Sequence, residues 1–195
     1  MLYAYWERFF RIAFAEFLRC LTLARVDIEQ INTPLARFRI ARELGNFLAA
    51  HNISTLSELA GAHPPASLRP LLKDLHDFLL RPIEFAAPTD WIKTYANVRF
   101  RVLEEHCDKF GLEMNRLTQE FTSKSLFQGL NELVDQRNDV AHGKSFTPVL
   151  SPEWEQLKTF VYKVMQVVQF ELHELLTDEA RLLAPQAVIT PEYDI

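Results

Sequence analysis

The chain has 195 residues, 48% of them hydrophobic with fifteen Phe and three Trp, which is enough to bury a sizeable core in one globular domain. Its formal net charge of −5 argues against a general nucleic-acid coat or a polybasic membrane binder, while leaving room for a local cationic site. No apolar run reaches the roughly eighteen residues of a membrane span, and Glu7, Arg8, Arg11 and Glu16 argue against an N-terminal signal peptide.

Taken in order, the chain reads as helices. Met1 to about Val26 is a long helix whose apolar residues Tyr5, Phe9, Ile12, Phe14, Phe17, Leu18 and Leu21 make a wide arc, as a central helix requires. No capping residue precedes it, so a start a few residues upstream stays open. Thr33-Pro34 pairs an N-cap with Pro at the first helical position and opens a helix to about Ala49. Ser54 caps a short helix ending at Gly61, His63-Pro64-Pro65 is a break, and Ser67 starts a helix running to about Leu80. Arg81 to Asp90, with Pro82 and Pro88, is a connecting loop, after which Thr89 or Asp90 caps a helix from Trp91 to Lys109, stopped by Gly111. A further helix starts near Thr122 or Ser123, and a loop containing Pro148 follows it. Ser151-Pro152-Glu153 then opens a last long helix from Trp154 to about Thr177, with Trp154, Leu157, Val161, Val164, Val168, Leu172 and Leu175 as its core stripe. The tail from 184 to 195 has two prolines and no pattern. With no strand-like alternation and no internal repeat, the expected fold is all-α, a helical bundle in one domain over residues 1–183, with accessory helices at about 33–81.

Most polar constellations carry no chemistry. The six histidines lack HxxxH or HExxH spacing, so no metal site is expected. Cys20 and Cys107 have no CxxC partner and read as free thiols of a reducing, cytoplasmic compartment. No serine sits in a nucleophile elbow and no glycine-rich loop could cradle phosphates, so no cofactor is expected.

The exception is Ser125 to Gly143, SLFQGLNELVDQRNDVAHG. At about 100° per residue, Leu126, Leu130, Leu133, Val134 and Ala141 form one buried face, and Arg137 falls about 20° from its centre. A charged group is almost never buried without a partner, so an arginine there is unexpected. Asn138 and His142 lie on the edge of the same face, within about 140° of Arg137, while Asp139 points roughly opposite. Two readings fit this spacing. Helices commonly end with a cation in the last turn and Gly just beyond, so Arg137, His142 and Gly143 also make an ordinary helix stop.

Arg137-Asn138-Asp139-Val140-Ala141-His142 resembles the R-x4-6-H motif of the HEPN superfamily, with a polar residue directly after the arginine. Leu133-Val134-Asp135-Gln136 before it and Gly143 after it are similar to the subgroup known as RiboL-PSP-HEPN or MAE-like. The Trp6-Glu7 helix opening and the Asn97 to Leu112 segment resemble the same subgroup, so the resemblance touches roughly residues 1–20 and 90–176 and is silent on Thr33 to Arg81.

The resemblance implies a metal-independent endoribonuclease, of toxin or phage-defence type, acting as a homodimer on RNA. It assigns Arg137 to the phosphate and His142 to proton transfer. Asn138 would orient His142 or donate to the phosphate, and Asp139 would orient Arg137 of the same or the facing chain. Lys144 is a candidate contact for a flanking phosphate, though an ordinary exposed lysine is the favoured reading. An antitoxin or activating partner protein is a further implication; a membrane partner is not. The competing implication is a non-catalytic HEPN module that binds a nucleotide or a protein.

Overall fold

The computed structural model describes residues 1–25, 31, 33–50, 73, 77, 85, 88–94, 97–121, 125–144 and 151–178. Its elements are helices: α1 (Leu2–Ala24), α2 (Thr33–Ala50), a 3-10 turn (Pro88–Trp91), α3 (Phe100–Phe110), α4 (Met114–Gln119), α5 (Leu126–Ala141) and α6 (Pro152–Thr177). The all-α expectation holds. The helices expected at Ser54–Gly61 and Ser67–Leu80 fall almost wholly outside the described residues, as does the tail from 184 to 195.

α1 is the axis of the core. Trp6, Phe10, Phe14, Leu18 and Leu21 recur every three or four residues and are fully buried, whereas Tyr5 and Ile12 of the expected arc are exposed. Phe10 and Phe14 pack against His106 of α3, and Phe14 and Phe17 against Phe110. α6 lies along α1 with its expected stripe buried from Leu157 to Leu175, while Trp154 at its start is only half-buried. Each large side chain withdrawn from water in this way contributes about 1.5–3 kcal/mol. At one end of the bundle the starts of α1 and α6 meet the end of α5, where Tyr3, Arg137 and Trp154 line a common cavity.

Caps follow the sequence in most places. The Ser151 hydroxyl accepts from the Trp154 amide to start α6, and Gly111 closes α3 in the left-handed conformation (φ 77°). α5 begins later than expected, with Ser125 as its cap accepting from the Gln128 amide. α4 was not anticipated.

The larger correction concerns the helix expected from Trp91 to Lys109. It starts only at Phe100, after the 3-10 turn and a non-helical link. Within that link the Val98 carbonyl accepts from the Trp6 indole at 2.9 Å, and the Val98 amide donates to the Tyr3 hydroxyl at 3.0 Å. Both backbone groups are thereby taken by α1 and withdrawn from a helical ladder, and Arg99 is extended (φ −79°, ψ 172°). Thr94, Asn97 and Val98 are weak helix formers, so little local preference opposes this.

Candidate active site

α5 reaches the site because Gly129 lets it approach α6. A β-carbon there would overlap the tip of the Phe160 ring, which would have to move aside. Leu126, Leu130, Leu133 and Val134 are buried, and burial stops there. Arg137 and Ala141, both expected on the buried face, are exposed. Periodicity gave their angle correctly, but the last two turns of α5 run past the end of the core.

The end of α5 closes at Gly143, as an ordinary helix stop does. The His142 amide donates to the Asn138 carbonyl, the Gly143 amide to Val140 at 3.1 Å, and the Lys144 amide to Asp139 at 2.8 Å. With Gly143 left-handed (φ 64°), this is a Schellman closure made wholly of backbone. It satisfies the Asn138, Asp139 and Val140 carbonyls with no side-chain donor from Arg137 or His142 among the described residues.

Arg137 is instead held from the side. One Nη1–H donates to the Asn138 Oδ1 at 2.9 Å, and the guanidinium carbon lies 5.4 Å from the centre of the Tyr3 ring. Tyr3 is itself fixed and nearly fully buried: its hydroxyl accepts from Val98 and is hydrogen-bonded to Glu7. Burial pushes the phenol above its ordinary pKa; the Val98 bond and the Arg137 charge oppose that, and Glu7 adds to it. Tyr3 therefore keeps its proton and donates it toward the Glu7 carboxylate. Of the five donors on a guanidinium, one is used among the described residues, and the side chain is exposed.

The remaining motif residues are placed as follows. His142 is exposed at the C-cap of α5, and its ring makes no hydrogen bond among the described residues. Asn138 serves Arg137 in this chain rather than His142. Asp139 is half-buried and its carboxylate makes no contact with Arg137 of the same chain among the described residues. Lys144 is exposed just past the turn. Arg137 and His142 point about 140° apart around the helix, so one protomer does not bring them face to face.

Sequence reasoning missed the scaffold around the motif. Arg99 pairs with Asp135 at 2.7 Å, tying the start of α3 to α5 two residues before Arg137. Tyr3 and Trp154 border a cavity of about 130 Å³ beside Arg137. Tyr3 looked like part of a helix opening and Trp154 like core, and no local pattern signals a partner so distant in the chain. Among the described residues no group of His, Cys, Asp and Glu side chains could hold a metal ion, and no helix is long and apolar enough to cross a membrane. Cys20 and Cys107 are free.

No curated protein and no solved structure matches the chain. The model of one protein family does, over residues 1–170, a span that includes both the Trp6-Glu7 opening and the motif and also runs through the 33–81 stretch. With the R-x4-H motif at the end of α5 and an all-helical fold around it, that match shows that this chain belongs to the RiboL-PSP-HEPN family.

Proposed function

We propose that the protein is a metal-independent endoribonuclease of toxin or phage-defence type, acting as a homodimer. The observation that carries this reading is the Arg137 guanidinium, positioned by Tyr3 and Asn138 yet open to solvent, at a helix end that the backbone already closes.

The chemistry follows from what RNA supplies. Each scissile phosphate has a neighbouring 2′-OH, whose oxygen can attack phosphorus while the 5′-oxygen leaves. The products are a 2′,3′-cyclic phosphate and a 5′-hydroxyl, and DNA is excluded because it lacks the nucleophile. Arg137 grips two phosphate oxygens and neutralises charge that grows on them as phosphorus becomes five-coordinate. His142 takes the 2′-OH proton or returns one to the 5′-oxygen, a task for which imidazole suits neutral pH. A single histidine cannot hold both roles at once. Two-fold pairing of the exposed α5 ends supplies a second Arg137 and His142 across a composite cleft. In that cleft Asp139 is free to meet Arg137 of the facing chain, and Lys144 to meet a flanking phosphate.

The acidic net charge gives little general affinity for RNA, which points to a specific RNA target or an activating partner protein. The test is incubation of the purified protein with total cellular RNA in EDTA, beside Arg137→Ala and His142→Ala. Cleavage by the parent that is lost in both variants supports the enzyme. Cleavage by His142→Ala at the parental rate overturns it. No cleavage, with nucleotide binding retained, assigns the protein to the non-catalytic members of its superfamily.

A further inference from the structure

We infer that the cavity beside Arg137 is a subsite for one unpaired nucleobase of the RNA, the base next to the phosphate that Arg137 holds. The inference rests on the reading of Arg137 as the phosphate grip. Size comes first. At about 130 Å³ the cavity is far smaller than the roughly 300–1,000 Å³ that encloses a drug-sized ligand, and equals the share of about four waters. A flat ring system enters such a space; a whole nucleotide does not. The sugar and phosphate must stay outside, at the rim, where the guanidinium lies.

The lining has the matching chemistry. Leu2, Leu133 and the Tyr3 ring are buried and apolar, Trp154 is half-buried on the wall, and Val140 is 52% exposed at the mouth. Charged phosphate is unfavourable among such groups, whereas a base has two apolar faces and stacks on aromatic rings whatever its identity. Gln136 adds a polar group able to read an edge. Its Nε2 donates to the Glu132 carboxylate at 3.2 Å, one helical turn back, while its amide oxygen has no partner among the described residues. Sequence-specific RNA recognition commonly works in this way, with an unstacked base laid on an aromatic side chain and its edge hydrogen-bonded. The cavity therefore makes cleavage depend on the base beside the cut.

The three tryptophans make the test direct. Trp6 and Trp91 are buried at 0% and 5% exposure, so quenching of tryptophan emission by a ligand in solution reports Trp154. Parent protein is titrated with the four nucleoside 3′-monophosphates, with ribose 5-phosphate and with inorganic phosphate, and its cut sites on total RNA are mapped. The same is done for Val140→Phe, which fills the mouth from an exposed helical position. Saturable quenching by nucleotides but not by ribose 5-phosphate is expected, with a biased base beside the cuts. In Val140→Phe nucleotide affinity falls roughly tenfold or more and the bias flattens. Cleavage with no nucleotide-specific quenching, or with a bias that survives Val140→Phe, overturns the subsite and leaves the ribonuclease standing. Base-dependent quenching without cleavage supports the subsite and overturns the ribonuclease. Absence of both overturns the two together.

Discussion

Tyr3 joins the fold to the chemistry, and two substitutions separate its contributions. In Tyr3→Phe the ring stays beneath Arg137, but the hydroxyl that accepts the Val98 amide at 3.0 Å is gone. Val98 is fully buried, so its N–H is left without an acceptor at a cost of about 1–3 kcal/mol. For a chain of this size each kcal/mol lowers the melting temperature by roughly 2–4 °C. The contact between the ring and the guanidinium, worth about 0.5–1 kcal/mol at a partly exposed site, is untouched. Tyr3→Phe should therefore be less stable in urea unfolding while its kcat/KM on RNA stays within roughly twofold of the parent. Tyr3→Leu loses the ring as well. Beyond its stability loss, kcat/KM should fall a further 2- to 5-fold or so, as expected when about 0.5–1 kcal/mol of Arg137 positioning is removed. Both are measured well below the melting transition. If Tyr3→Phe is as stable as the parent, the Val98 anchor is not what holds this end together. If the two variants have equal kcat/KM, the ring does not position Arg137.

Three further outcomes are expected. His106 is fully buried among Phe10, Phe14 and Phe110, with Nδ1 donating to the Val102 carbonyl, and desolvation pushes its pKa down to about 4, with Lys109 adding to that and the Val102 bond and Glu105 opposing it. The unfolded chain then binds more protons, so stability should be full above about pH 6.5 and fall by about 3 kcal/mol as pH drops toward 4; equal pH profiles for the parent and His106→Phe in urea unfolding would refute the assignment. Gly129→Ala gains about 1 kcal/mol of helix propensity but overlaps Phe160, a cost of about 1–3 kcal/mol, so it should destabilise the parent and stabilise a Phe160→Ala background in a double-mutant cycle. Mixing the inactive Arg137→Ala and His142→Ala proteins should restore part of the cleavage through mixed dimers whose cleft holds one arginine and one histidine, and a mixture as inactive as its components would argue against the composite site.

What the sequence disclosed was local. The α6 stripe from Leu157 to Leu175, the Ser151 cap and the Gly111 stop depend on residues within a few positions of one another and appear where the pattern put them. The α1 arc was only half right, since Tyr5 and Ile12 are exposed and Trp6 and Phe10 take the core. The start of α3 was misplaced because its cause is distant: Tyr3 and Trp6 take the backbone groups of Val98. Arg137 was misjudged as buried for a related reason. Helical angle tells which way a side chain points, but not whether core remains at that turn to receive it. The motif itself was legible because six consecutive residues carry it, whereas its supports, Tyr3, Trp154 and the Arg99–Asp135 pair, come from three other parts of the chain. Asn138 illustrates the limit. Its spacing put it beside His142, and its amide oxygen serves Arg137.

The most direct measurement uses a short single-stranded RNA containing one mapped cleavage site, with the 2′-hydroxyl at that linkage replaced by hydrogen, incubated with the protein in EDTA. Attack by the 2′-oxygen predicts that the all-ribose strand is cut to fragments ending in 2′,3′-cyclic phosphate and beginning with a 5′-hydroxyl, and that the substituted linkage is left intact. Cleavage through the deoxy linkage, or fragments beginning with a 5′-phosphate, would contradict the account.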